Sequence, residues 1–290
     1  MSSPGKVFLD YDQAALDRAY DQAQWAPNMQ EVLRRRAAAA EAVRARLGAP
    51  RSFAYGPTAI ERLDVYPAAR PNAPVMVFLH GGAWRGGDAR SQAYPAETFV
   101  RAGAHWVVPD FATAIDVGLD GMVAQVRRAV AWVAVNAAGF GGDPARVYVG
   151  GHSSGGHLAG NVLVTDWARD FGLPADLVKG GLCISGMYDL KAVRLSARSA
   201  YVKLDDRIEH ELSPQRHLHR LQAPVVVAYG ERDSPEFQRQ SREFAAALER
   251  SGRLRGLLVG RGLNHFEMPE TLARADGLLG RAALELMQPA

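Results

Sequence analysis

The chain has 290 residues, a formal net charge of +3, 48% hydrophobic residues and 22% charged residues. This composition is typical of a soluble globular protein that is long enough for one large α/β domain. Its 34 Lys and Arg residues are interleaved with acidic ones, which argues against a nucleic-acid-binding face. No apolar run approaches the ~20 residues that a membrane span needs. We therefore expect neither nucleic acid nor a membrane as a partner.

The sequence carries one cysteine, Cys183, which lies in the apolar run 179–185 and cannot form an internal disulfide. Such a residue is typical of a buried core position rather than of an oxidising compartment. The N-terminal segment carries several aspartates and lacks the apolar stretch of a signal peptide. These features predict a cytoplasmic protein.

Residues 11–47 are predicted to form two helices, interrupted at Pro27, that make a helical appendage before the first strand. From residue 60 onward, short apolar strands alternate with amphipathic helices, which predicts a mostly parallel central sheet with helices on both faces. Residues 186–222 lack a clear strand and are predicted to form a lid-like insertion. We expect residues 1–290 to fold as a single α/β domain. The predicted strands are 62–66, 75–79, 106–109, 146–150, 178–184, 224–229 and 254–259, and helices are predicted over 119–133, 237–248 and 271–287.

A candidate nucleophile, Ser153, lies at the centre of residues 151–155, whose sequence Gly-His-Ser-Ser-Gly fits G-x-S-x-G. The motif follows the predicted strand 146–150 and opens a helix, which is the context that this motif requires. A strained turn exposes the hydroxyl there, and the helix N-terminus adds positive potential where an oxyanion forms. The structural alternative is a glycine-rich turn that a serine caps.

A second glycine-rich loop, residues 80–84 with the sequence His-Gly-Gly-Ala-Trp, follows the strand 75–79. Loops of this type supply backbone N–H groups to a tetrahedral intermediate. We assign the oxyanion hole to the N–H groups of Gly82, Ala83 and Ser154. His80 is expected to hold the loop in place rather than to take part in the chemistry.

In proteins with such a serine turn, the acid and then the histidine follow the serine along the chain. Asp233 and His265 each follow a predicted late strand, and we expect His265 to act as the base and Asp233 to orient it. Glu231 and Asp189 remain rival acids, and Asp233 could instead cap the helix that begins after it. The sequence shows no metal-ligand spacing and no dinucleotide or phosphate motif, so we expect no metal and no cofactor.

Together, residues 80–84, 151–158 and 262–265 resemble the hormone-sensitive-lipase-like branch of the α/β-hydrolases. Three shorter segments, 185–190, 233–237 and 264–266, are similar to the kynurenine formamidase (arylformamidase) type. The resemblance implies an α/β-hydrolase fold and hydrolysis of N-formylkynurenine to kynurenine and formate, a step of tryptophan catabolism. The chain departs from esterases of the branch at Ala83, where they often have a third glycine, and around Pro109–Phe111, where relatives usually carry a tyrosine.

The leading functional interpretation is hydrolysis of a small amide or ester through an acyl-serine intermediate, with arylformamidase as the first candidate. Trp84, Tyr188 and Phe266 are expected to line the substrate pocket. A carboxylesterase acting on short-chain or aryl esters is the alternative enzyme. A catalytically inactive binding protein on the same scaffold is the alternative from another class. The expected partner is a small-molecule substrate, and the sequence is also compatible with a homodimer.

Overall fold

The computed structural model describes residues 5–288, and within them eight strands form one sheet. The strands are β1 (Arg51–Ala54), β2 (Arg62–Tyr66), β3 (Ala73–Leu79), β4 (His105–Pro109), β5 (Gly142–His152), β6 (Val178–Ile184), β7 (Val225–Gly230) and β8 (Leu254–Gly260). Their order across the sheet is β1-β2-β4-β3-β5-β6-β7-β8. The pairs from β4 to β8 are all parallel, and β2 is antiparallel to β1 and β4. The prediction of a mostly parallel sheet is confirmed.

Helices cover both faces of this sheet. They are α1 (Gln13–Tyr20), α2 (Met29–Leu47), α3 (Ala96–Arg101), α4 (Ala114–Asn136), α5 (Ser154–Leu163), α6 (Trp167–Phe171), α7 (Lys191–Leu195), α8 (Asp206–Glu211), α9 (Pro235–Arg250) and α10 (Leu278–Leu286). Within residues 5–288, every helix is too short or too polar to cross a bilayer.

Three elements differ from the sequence predictions. Strand β1 was not predicted, because its side chains are mostly exposed and give no apolar pattern. Strand β5, predicted over 146–150, is longer and extends from Gly142 to His152. The helix expected over 271–287 is divided into a 3₁₀ turn, Met268–Ala273, and the separate helix α10.

The alternation of side chains along β3 divides the core between the two faces of the sheet. Val75, Val77 and Leu79 belong to one buried cluster, and Met76 and Phe78 belong to the other. All seven residues of β3 are buried, as expected of a strand that is covered on both sides.

The two N-terminal helices pack against opposite clusters. Leu16 and Tyr20 of α1 join the cluster that contains Val75, whereas Ala40 and Val43 of α2 join the cluster that contains Met76. The segment between α1 and α2 therefore passes around an edge of the sheet, and both helices contribute to the core.

We propose that the chain, including α1, unfolds as one cooperative domain, and Leu16→Ala tests this. Leu16 is fully buried in the main core, so the substitution should lower the free energy of unfolding by about 2–5 kcal/mol. The measurement is urea denaturation followed by circular dichroism and tryptophan fluorescence. Leu9→Ala is the matched control, because Leu9 is 58% exposed and its loss should change stability by no more than about 0.5 kcal/mol. Equal effects of the two substitutions, or a separate transition for α1, would contradict the proposal.

Candidate active site

Ser153 occupies a sharp turn between β5 and α5. Its backbone angles, φ 59° and ψ −123°, are unfavourable for a residue with a side chain and are typical of a strained functional turn. A Cβ atom on Gly151 would lie 2.1 Å from the Gly155 carbonyl oxygen, and one on Gly155 would lie 2.0 Å from the Leu79 carbonyl oxygen. Gly151 is therefore required by the close approach of β5 to α5, and Gly155 by the close approach of α5 to β3.

The hydroxyl, the imidazole and the carboxylate predicted from the sequence lie next to one another. The Ser153 Oγ is 2.9 Å from His265 Nε2, and His265 Nδ1 is 3.4 Å from Asp233 Oδ1. The first distance is that of a hydrogen bond. The second joins two buried atoms that form no hydrogen bond within residues 5–288, and catalytic contacts of this kind often tighten only when substrate binds. All three side chains are buried, so little water competes for their polar atoms.

The hydrogen bonds of Asp233 distinguish it from the two rival acids, Glu231 and Asp189. Ser234, not Asp233, caps α9, since its Oγ accepts a hydrogen bond from the Phe237 N–H. Asp233 Oδ2 accepts from the Gly230 N–H at 3.2 Å, which fixes the carboxylate beside His265. Glu231 is exposed and accepts from the Gly262 N–H. Asp189 forms a bidentate ion pair with Arg216 instead.

The loop that follows β3 takes a conformation that leaves backbone donors free. Gly82 has φ 132°, and a Cβ atom there would lie 2.0 Å from the Gly86 carbonyl oxygen. Ala83 also has a positive φ, 54°. Among residues 5–288, neither the Gly82 nor the Ala83 N–H donates to a protein acceptor. Ser154 begins α5, so its N–H has no acceptor within the helix.

Trp84 fastens this loop to α5. The Trp84 indole N–H donates to His157 Nδ1 at 3.2 Å, and His157 Nε2 donates to the Leu212 carbonyl at 2.8 Å. Burial lowers the pKa of His157 to about 4, so the ring stays neutral and keeps one accepting nitrogen. Trp84 itself has φ 59°, and this hydrogen bond holds its strained backbone in place. No pattern in the sequence indicated this role of His157.

His152, the variable residue of the serine motif, is packed beside the candidate base. The ring centroids of His152 and His265 are 4.5 Å apart. Burial, with a further contribution from His265, holds the pKa of His152 well below its usual value. His152 therefore stays neutral beside the His265 imidazole.

A cavity of about 780 Å³ opens beside Ser153 and His265. This volume suits a drug-sized molecule. Its walls combine the loop after β3, the N-terminal helices and residues of the 186–222 insertion, including Arg198 and Tyr201. Two hydrogen bonds join the insertion to α1 at the cavity wall. The Ala197 N–H donates to Asp17, and Arg198 donates to the Tyr20 carbonyl.

Of the three expected pocket residues, the structure places one at the cavity. Phe266 lines it, next to His265. Trp84 is buried beneath the loop by its bond to His157. Tyr188 is fully buried, stacks on Phe244 with a 4.0 Å centroid distance and accepts from the Gly186 N–H, so its ring faces the core. Trp84 and Tyr188 therefore do not form the cavity wall, contrary to expectation.

Several residues of the cavity wall were not predicted from the sequence. They lie outside the loops that follow the strands. Tyr20 and Arg36 lie on the two N-terminal helices, and Arg198 lies in the insertion. Helical spacing identifies a buried face but not the surface against which that face packs. No signal in the sequence connected the N-terminal helices with Ser153, whereas residues 186–222 were predicted to form a lid-like insertion.

A parallel sheet with a serine on a strand-to-helix turn, and with a histidine after the last strand, defines an α/β-hydrolase. The BD-FAE family model matches residues 63–248. Kynurenine formamidase of Danio rerio is 30% identical over 285 residues, which cover 94% of this chain and 95% of the relative. Esterase LipQ of Mycobacterium tuberculosis is 30% identical over 68% of this chain and 52% of its own length.

The fold has a close counterpart among solved structures. A crystal structure of a putative thioesterase from Silicibacter sp. TM1040 superimposes with a TM-score of 0.81, at 23% identity, over 94% of this chain and 98% of that chain. The chain belongs to the BD-FAE family of α/β-hydrolases. Its similarity to kynurenine formamidases and esterases is consistent with this family. It is therefore a serine hydrolase, as the sequence predicted.

His157→Leu tests whether the bond to Trp84 positions the loop after β3. Loss of the acceptor should release the strained loop and lower kcat for p-nitrophenyl acetate by about 10- to 100-fold, since small displacements of catalytic groups have effects of this size. Circular dichroism should remain that of a folded protein. His219→Leu is the control, because His219 is exposed on the insertion that also carries Leu212, the backbone partner of His157. A folded His157→Leu variant with wild-type kcat would contradict the positioning role.

Proposed function

We propose that Ser153 is the nucleophile, His265 the general base and Asp233 the acid that orients the imidazole. With Nδ1–H directed at Asp233, His265 Nε2 accepts the Ser153 hydroxyl proton over their 2.9 Å separation. Asp233 keeps this tautomer and stabilises the imidazolium that forms. The contact between Ser153 and His265 beside a large cavity is the observation that carries the proposal.

We also propose the oxyanion hole on the N–H groups of Gly82, Ala83 and Ser154. As the Ser153 Oγ attacks the substrate carbonyl, the developing oxyanion accepts from these groups. His265 then gives its proton to the leaving group, which departs and leaves an acyl-serine. A water molecule, activated by the same imidazole, releases the acid and regenerates Ser153.

The proposed substrate is an N-formyl arylamine, with N-formylkynurenine as the specific candidate. The support is the similarity to kynurenine formamidase, which extends over 94% of this chain and 95% of the relative. The products would be formate and kynurenine, which assigns the protein to tryptophan catabolism. No cofactor is required for this chemistry, and the proposed partner is the small-molecule substrate alone.

A carboxylesterase on short-chain or aryl esters is the second candidate. The similarity to esterase LipQ supports it, although that match covers only half of the relative. We also propose that residues 1–290 form a single domain in which 186–222 acts as a cap. A cytoplasmic location and a homodimer stay predictions, which cell fractionation and light scattering test.

Asp233→Asn should keep the fold and lower kcat by roughly 10⁴-fold, because the amide no longer stabilises the required tautomer and the imidazolium. Steady-state kinetics with circular dichroism measure both properties. Ser153→Ala sets the background rate, and Glu231→Gln is the matched control, since Glu231 is exposed and bonds to the Gly262 N–H instead of to His265. Activity near wild type in Asp233→Asn, with a large loss in Glu231→Gln, would move the role to Glu231.

Comparison of kcat/KM for N-formylkynurenine and p-nitrophenyl acetate separates the two candidate substrates. The ester has a much better leaving group, so a higher kcat/KM for the formamide requires specific binding in the cavity. We expect a value of about 10⁴–10⁸ M⁻¹ s⁻¹ for N-formylkynurenine, above that for the ester. Formanilide, which has the same formamide without the side chain, is the control substrate. A large preference for the ester would reject the formamidase.

A further inference from the structure

The cavity contains a buried cation that no protein carboxylate neutralises. Arg198 is buried and lines the cavity, and within residues 5–288 it forms no ion pair. Asp21 acts on the guanidinium only at longer range than an ion pair, while Arg85 repels it. A charge removed from water is normally paired, so this arrangement suits an anionic ligand.

The protein contacts that hold the Arg198 guanidinium occupy only some of its N–H donors. It donates to the Tyr20 carbonyl at 2.8 Å and contacts the Met187 sulfur at 3.6 Å. It also lies 5.3 Å, 5.6 Å and 5.7 Å from the ring centroids of Tyr20, Trp84 and Phe237. Aromatic rings stabilise the cation, but they accept few of its five N–H donors. Donors therefore remain for a ligand.

Its location relates this cation to the reacting groups. Trp84 directly follows the proposed oxyanion donor Ala83, and the Phe237 ring is 5.0 Å from the His265 ring. The guanidinium is thus one aromatic ring away from the imidazole. An anion bound in this cavity would therefore lie on the leaving group of a substrate whose carbonyl carbon is attacked by Ser153.

We propose that Arg198 is the specificity subsite for a carboxylate on the leaving group. The preferred products are then arylamines that carry a carboxylate. This inference rests on the proposed function and deepens it. Asp17 and Asp21 line the same cavity, so its wall carries both charges that an α-amino acid requires. A planar guanidinium binds a carboxylate with two parallel hydrogen bonds, which a neutral ligand of the same shape cannot form.

The test uses inhibition of p-nitrophenyl acetate hydrolysis by two matched ligands, 4-oxo-4-phenylbutanoate and its primary amide. The measured quantity is the ratio of their inhibition constants, amide over acid. For the wild type we expect a ratio of about 10 to 100, the range that a charge-assisted pair provides. Arg198→Gln should bring the ratio close to 1, and Arg198→Lys should keep part of it. A purely structural role would change both inhibition constants together and leave the ratio intact.

Two variants serve as comparisons. Arg90→Gln removes one surface cation, which pairs with the exposed Glu41, and should keep the wild-type ratio. Arg85→Gln removes a neighbouring cation of the same cavity and should lower the ratio less than Arg198→Gln does. A wild-type ratio near 1 overturns the proposal without any variant. An unchanged ratio in Arg198→Gln, or an equal loss in Arg85→Gln, also overturns it.

The failure of this inference differs from a failure of the proposed function. If the protein is not a formamidase, N-formylkynurenine is not turned over, but the inhibition ratio persists. If Arg198 does not bind a carboxylate, the ratio is near 1 even though N-formylkynurenine is hydrolysed.

Discussion

The close approach of α5 to β3 at the serine turn is the constraint on which the site depends. Gly155 allows α5 to touch the carbonyl oxygen of Leu79, and this contact places Ser153 beside the loop that begins at His80. A side chain at Gly155 would separate α5 from β3, and one at Gly151 would separate α5 from β5. The hydroxyl, the helix N-terminus and the free N–H groups of the loop therefore meet because three backbone segments are in contact.

A hydrogen bond to α5 holds the strained loop after β3 in place. Ala83 and Trp84 both have positive φ angles, and the neutral His157 holds the indole of Trp84. Trp84 thus supports the loop from the core and does not line the cavity. Rigid support of this kind keeps backbone donors aligned before any charge develops on the substrate, which is the main source of electrostatic stabilisation in enzymes.

The proposed chemistry and the proposed specificity come from different parts of the molecule. The proposed reacting groups lie on loops at the carboxyl edge of the parallel strands, where ligands bind in open α/β sheets. The charged wall that faces them comes from α1, α2 and the insertion, joined by the bonds of Asp17 to Ala197 and of Arg198 to Tyr20. A common hydrolytic core can therefore serve different substrates by changing the segments that cover it.

The sequence by itself determined the order and type of the main strands and the residues that follow their ends. Buried strands give continuous apolar runs, and parallel strands bring their carboxyl ends together, so Ser153, Asp233 and His265 could be placed at one edge. Only the tertiary structure decided that Tyr188 faces the core, that Trp84 lies behind the loop, and that α1 and Arg198 enclose the cavity. These outcomes depend on packing between segments far apart in the chain, which local periodicity does not encode.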